Sequence, residues 1–183
     1  MQQISPAEIQ TILAELKKTL GYPGDIVEFG CYKGDTSVKL AEAIKGTNKD
    51  LYLYDSFSGL PAPTLSDGRT TFKPGDLPAT PTDVLRRFKK ANLPEPFIIQ
   101  NLFERLNIVD LPDSIAFALL DGDLYSSIKS SLELITPKTP KTILIHDFNN
   151  PNLPGVRQAT LEWLKLHPSY SLRASDSLAI INS

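Results

Sequence analysis

The stretch Asp25-Ile26-Val27-Glu28-Phe29-Gly30-Cys31-Tyr32-Lys33-Gly34-Asp35-Thr36-Ser37 decides the fold. Ile26 and Val27 form a short apolar run that leads into an acid, Glu28. Gly30 and Gly34 follow, and polar residues beyond them open a helix. This reads as strand, tight glycine turn and helix, the unit from which doubly wound sheets are built. Glycine in such a turn lets a nucleotide-like ligand approach the backbone at the carboxyl end of the strand. The helix N-terminus beyond it favours negative groups. A second acid, Asp55, closes the next apolar run, Leu51-Tyr52-Leu53-Tyr54. In a doubly wound sheet an acid about 20 residues past the glycine turn reads a ribose hydroxyl pair. The spacing here is slightly longer, which a longer first helix accounts for.

The dinucleotide fingerprint Gly-x-Gly-x-x-Gly is not matched, because Cys31 and Tyr32 follow Gly30. That argues against a pyrophosphate ligand such as NAD. Two carboxylates on one glycine turn, Glu28 and Asp55, suit S-adenosylmethionine better. That molecule carries an ammonium, a sulfonium and a ribose, and no phosphate. The competing reading is a strand–helix turn with no ligand. Cys31 lies in the turn, where its backbone matters more than its thiol.

The 183 residues fit one domain, 1–183, large enough for a real core. Net charge is −2 and no basic stripe is present, so no nucleic-acid partner is expected. A single cysteine allows neither a disulfide framework nor a cysteine metal cluster. The polar N-terminus and the lack of a long apolar run point to no membrane and a cytoplasmic setting. Oligomerisation with further copies of the chain is compatible with the sequence and not specified by it.

Along the chain, Ser5-Pro6-Ala7-Glu8 opens a helix within an N-terminal segment, residues 1–22. Ser5 is the N-cap, Pro6 the first helical position, and Glu8 completes a capping box. Ile9, Ile12, Leu13 and Leu16 form the apolar stripe. Strands are expected at 25–28, 51–55, 97–100, 115–120 and 142–145, and helices at 34–43, from Thr80, at 125–135 and at 155–166. A short helix is expected at 102–108. The run Ile115–Leu120 is continuously apolar, as a strand buried on both faces should be. Strands at 170–173 and 178–182 are close enough to form a hairpin. The fold class is therefore α/β: doubly wound, a mostly parallel seven-stranded sheet with an antiparallel C-terminal hairpin. Residues 56–80 form an irregular, proline-rich segment, expected to be a lid over the substrate.

A second constellation sits at the ends of two further strands. Leu120-Asp121-Gly122-Asp123 ends one, and Ile145-His146-Asp147 ends the next. Adjacent parallel strands place both in the crevice where open sheets bind ligands. Asp121 and Asp147 are candidate ligands for Mg²⁺ or Ca²⁺, which take hard oxygen donors. An ion there would acidify a coordinated hydroxyl. His146 stands between three roles: metal shell, proton carrier and structure. Asp123 is expected to cap the helix that starts at Tyr125. His167 is assigned no role.

The blocks Glu28-Phe29-Gly30-Cys31-Tyr32-Lys33-Gly34, Asp55-Ser56-Phe57-Ser58-Gly59-Leu60-Pro61, Leu120-Asp121-Gly122-Asp123-Leu124-Tyr125-Ser126-Ser127, His146-Asp147-Phe148 and Gly155-Val156-Arg157-Gln158-Ala159 resemble the macrocin O-methyltransferase family. That family lies within the class I S-adenosylmethionine-dependent enzymes. The resemblance implies a strand order of 3-2-1-4-5-7-6 and Mg²⁺-assisted methyl transfer to a small-molecule hydroxyl, such as that of a sugar or natural product. It places the cofactor on Glu28, Gly30 and Asp55, with Ser56 beside them, and the metal on Asp121 and the pair His146-Asp147; Gly34 of the same turn is a further cofactor-binding candidate, and Asp121 and His146 are the catalytic candidates. Macrolide-modifying members usually carry two acids where this chain has His146-Asp147, and a histidine base in the lid. Residues 61–80 hold no histidine, so Asp67, Asp76, Lys73 and His146 are the candidates for that base. A cofactor-binding module without activity, acting as a partner subunit, is the alternative reading.

Overall fold

Strand β4 (Ile115–Leu120) is buried at all of its positions and forms the spine of the sheet. The computed structural model describes residues 4–183, so residues 1–3 of the expected N-terminal segment lie outside it. Beside β4 run β1 (Asp25–Phe29) and β5 (Thr142–Ile145), both parallel to it. β2 (Leu51–Asp55) and β3 (Phe97–Gln100) extend the parallel set, and β6 (Ser171–Ser175) and β7 (Leu178–Asn182) form an antiparallel hairpin on β5. Among the described residues the strand order is β3-β2-β1-β4-β5-β7-β6. This is the expected topology.

Alternation of side chains builds a core on each face. Ile26, Leu119, Leu144 and Ile180 point to one side, where they meet Ile12 and Leu16 of α1 (Pro6–Thr19), Leu40 of α2 (Asp35–Ile44), and Val84 and Phe88 of α3 (Pro81–Lys90). Val27, Ala118, Ile143 and Ile181 point to the other. There they meet Ile128 and Leu132 of α4 (Tyr125–Ile135) and Val156 and Trp163 of α5 (Pro154–Leu166). Full burial of each such aliphatic side chain stabilises by about 1.5–3 kcal/mol. No helix among the described residues is long and apolar enough to cross a membrane.

The capping box of Ser5 and Glu8 forms as expected. The buried face of α1 nevertheless includes two acids, Glu8 and Glu15, while Ile9 and Leu13 are only half-buried. Both acids have partners on the C-terminal hairpin. Ser177 donates to Glu8, and Arg173 lies 2.8 Å from Glu15. Apolar periodicity alone does not register such cross-chain pairing. The short helix expected at 102–108 is instead two 3-10 turns, Phe103–Arg105 and Ile108–Asp110.

Residues 56–80 are irregular but pinned in place. Leu60 N–H donates to the Asp76 carbonyl (2.8 Å) and Gly75 N–H to the Leu60 carbonyl (2.9 Å), folding the segment back on itself. A 3-10 turn, Leu65–Asp67, ends in a buried acid. One oxygen of Asp67 accepts from the Thr64 amide (2.6 Å) and hydroxyl (2.8 Å). Its other oxygen accepts from the Tyr125 amide at the start of α4 (2.6 Å). Asp67 therefore caps α4, and the capping role expected for Asp123 is corrected accordingly: the N-cap position is Leu124, which offers no side-chain acceptor. With both oxygens so engaged, Asp67 is not a free base. Asp67→Ala is expected to lower stability by about 1–3 kcal/mol and to speed tryptic cleavage after the exposed Arg69. Unchanged cleavage in limited proteolysis would show that this anchor does not hold the segment.

Candidate active site

Gly30 and Gly34 do separate jobs in the turn after β1. Gly30 has φ +89° and lies so close to the Asp121 backbone carbonyl that a Cβ would collide with it. Its amide donates to the Tyr54 carbonyl (2.8 Å), so the ends of β1, β2 and β4 converge there. Gly34, at φ +84°, is the N-cap of α2 in the left-handed region. Asp55 ties the turn to β2: it accepts from the Tyr32 amide (2.9 Å) through one oxygen and from the Phe57 amide (2.8 Å) through the other. Burial raises the Asp55 pKa, and these amides oppose the rise. The Cys31 amide and thiol help to hold the charge, and the carboxylate lines the first of the cavities described below. The Ser56 hydroxyl donates to the Gly59 carbonyl (2.8 Å) and accepts from the Ser58 amide (3.1 Å), which shapes the start of the irregular segment 56–80.

Glu28 sits under the turn, 1% exposed, and accepts a hydrogen bond from Ser37 of α2. Burial pushes its pKa up to about 8; the Ser37 bond opposes this, and the Asp121 and Asp55 charges add to it. Burial likewise raises the Cys31 thiol far above its ordinary range, so it is a packed, unreactive side chain.

The ends of β4 and β5 lie in register, Leu120 beside Ile145. That register places Asp121, His146 and Asp147 together. His146 Nδ1 is 2.9 Å from Asp121 Oδ1 and 3.1 Å from Asp147 Oδ2, while Nε2 faces Glu8 Oε1 at 3.8 Å. The ring is 5% exposed. Burial disfavours a charged imidazole here, but the charge and hydrogen bond of Asp121, followed by those of Asp147, prevail and raise its pKa to about 11. Burial also works against ionised Asp147, yet the His146 hydrogen bond keeps its pKa below the ordinary value. Ligand atoms of Asp121, His146 and Asp147 lie within 4.8 Å of one another, close enough to converge on one ion. The donor set suits Mg²⁺ poorly. It holds two carboxylates and one nitrogen, and that nitrogen already contacts both carboxylates, whereas Mg²⁺ demands oxygen donors in near-octahedral array.

Two cavities flank this point. One is lined by Asp55, Ser56, Phe103, Glu104, Asp123 and Ser127 among others. The second, about 680 Å³, lies between α1 and the glycine turn, with Gln10, Glu28, Lys33 and Lys39 on its wall. Gly30, Tyr32 and Asp121 line both. Lys73 and Asp76, candidates for a base, line neither; Asp76 accepts from the Lys73 amide (2.8 Å) in an outer turn. The sequence assigns no role to Phe103 and Glu104, and to Asp123 only the helix cap that Asp67 supplies instead. The position just past β3 is a signal that points to Phe103 and Glu104, because ligands gather at the carboxyl ends of parallel strands. Asp123, at φ +59°, is turned into the first cavity; burial and the Asp121 charge raise its pKa well above the carboxylate range.

A family model described as macrocin-O-methyltransferase (TylF) matches residues 6–168. The chain belongs to this family. It is an S-adenosylmethionine-dependent methyltransferase. A comparison with curated proteins returns no match. Among solved structures, this methyltransferase is similar to the O-methyltransferase NovP at 20% identity, over 95% of this chain and 78% of that one, with a TM-score of 0.79. It is similar to CalS11, a calicheamicin methyltransferase, at 22% identity over 98% and 80%, with a TM-score of 0.78. An O-methyltransferase from Bacillus cereus in complex with SAH shares 13% identity over 100% and 84%, with a TM-score of 0.67. At these identities the structures establish the shared fold, a class I methyltransferase sheet.

Glu28 yields a test by pH. In the folded methyltransferase it keeps its proton up to about pH 8, against 4.5 when unfolded. Between those values the folded chain binds more protons, so this group's contribution to stability falls as pH rises. Glu28→Gln cannot ionise. Wild type is expected to lose more stability than the variant between about pH 5 and 8 in urea melts. Parallel pH curves would show that Glu28 is already ionised in the folded chain.

Proposed function

We propose that this methyltransferase moves the sulfonium methyl of S-adenosylmethionine to a hydroxyl of a small molecule, such as a sugar or natural product. The observation that carries the proposal is the position of Asp121, which lines both cavities. The cofactor takes the first cavity. Its ribose hydroxyls donate to Asp55, and the Gly30 turn gives its aminoacyl end close access to the backbone. Glu28 and Gly34 act from beneath, shaping the turn and starting α2, and Ser56 fixes the loop beside the ribose. The acceptor takes the second cavity, whose polar wall of Gln10, Lys33 and Lys39 suits a hydroxylated molecule. The negative net charge and the lack of a basic stripe support a small acceptor over a nucleic acid.

The methyl donor is already activated, so the protein's task is alignment and proton removal. Asp121 Oδ1 contacts His146, and Oδ2 has no hydrogen-bond partner among the described residues. Oδ2 is the base. It accepts the acceptor's hydroxyl proton as the new O–CH₃ bond forms, the S–CH₃ bond breaks, and the sulfonium leaves as a neutral thioether. His146 holds the Asp121 carboxylate in place. The Mg²⁺ expected from the family resemblance has no step in this scheme, because the donor set fits it poorly.

Calorimetry with S-adenosylhomocysteine tests the assignment. Asp55→Ala is expected to weaken binding by about tenfold to a hundredfold, the loss of hydrogen bonds to a charged group. Asp55→Asn, which keeps the shape, separates charge from packing. Asp121→Ala is expected to keep cofactor affinity within about threefold and to lower kcat by about 10²–10⁴ on any accepted hydroxyl substrate. Wild-type affinity in Asp55→Ala would remove the ribose assignment, and undiminished kcat in Asp121→Ala would remove the base.

A further inference from the structure

Three carboxylates surround one buried imidazole at the ends of β4 and β5. Asp121 and Asp147 face Nδ1 at 2.9 and 3.1 Å, and Glu8 faces Nε2 at 3.8 Å. Ionised carboxylates only accept hydrogen bonds. Contacts this short therefore put a proton on Nδ1, shared between the two acids. A nitrogen that carries that proton has no lone pair to give a metal. Its position is also the one an ion would need, because it lies between the Asp121 and Asp147 carboxylates.

The surroundings lock the ring there. His146 N–H donates to the Leu120 carbonyl (3.0 Å), which fixes the backbone against β4. Asn150 donates to the far oxygen of Asp147 (2.9 Å), turning its near oxygen toward the ring. Glu8 is held by Ser177 and by the Ser5 amide, so it cannot swing away freely. Any ion entering would have to break the Asp121 and Asp147 contacts and leave Nδ1 without an acceptor in a buried site. An unpaired buried polar group is costly.

We propose that His146 stands in for a metal ion in this site: its ring bridges Asp121 and Asp147, and the enzyme works without a divalent cation. The inference deepens the methyltransferase reading and rests on it for its catalytic meaning. His146 is a positioning residue, acting through Asp121.

The test uses the full chain. S-adenosylhomocysteine is titrated first, and failure to bind would count against the methyltransferase site alone. Mg²⁺, Mn²⁺ and Zn²⁺ are then titrated separately by calorimetry into wild type, His146→Asp and Asp121→Ala. The expected result is no saturable binding of any of the three ions to wild type, and cofactor affinity unchanged by chelator. His146→Asp, with three oxygen donors and no internal proton bridge, is expected to bind Mg²⁺ or Mn²⁺ at least about tenfold more tightly than wild type. Wild-type binding that Asp121→Ala abolishes would overturn the proposal. So would a folded His146→Asp with no gain. If His146→Asp does not fold, His146→Asn takes its place, with the same gain expected and the same failure decisive.

Discussion

The close approach of Gly30 to the Asp121 carbonyl is the constraint on which the site depends. No side chain fits between them, so the ends of β1 and β4 touch. That contact lets one carboxylate look into two cavities at once. Asp55 then ties the same turn to β2 through the Tyr32 amide. Three strand ends are thus drawn to one point by backbone contacts, before any ligand arrives. This is pre-organisation in the literal sense: little must move for donor and acceptor to meet.

The edge of the sheet is crowded with acids. Glu28, Asp55, Asp121, Asp123 and Asp147 all gather there, with His146 the basic group set among the last three. Such a field suits a cofactor with a sulfonium and an ammonium. It also explains why several of these carboxyls resist ionisation, since burial and mutual repulsion act in the same direction. Two acids beside the imidazole are the exceptions. Asp147 and Glu8 stay ionised because each has a specific partner.

Much of this was legible in the sequence. Apolar runs, glycine turns and the Ser5 capping box mark periodic or local features, and those transferred directly to strands, turns and α1. Asp55, Asp121, His146 and Asp147 were visible because parallel strands end where ligands bind. What was hidden is pairing across the chain. Nothing local to Asp67 says that it caps a helix 58 residues later. Nothing local to Glu8 or Glu15 says that an acid on the buried face of α1 has a partner in the last hairpin. The segment at 102–108 differs for another reason: its apolar residues satisfy a helical spacing, but Leu106 and Asn107 are extended and divide it into two 3-10 turns.

The bond between Glu8 and Ser177 joins positions 169 residues apart. The first helix and the last hairpin therefore share one wall beside His146. A contact of such long sequence separation carries a loop-closure cost that no local segment can offset alone. The back of the histidine's pocket is therefore a property of the assembled sheet and helix together, and loosening either side opens the other.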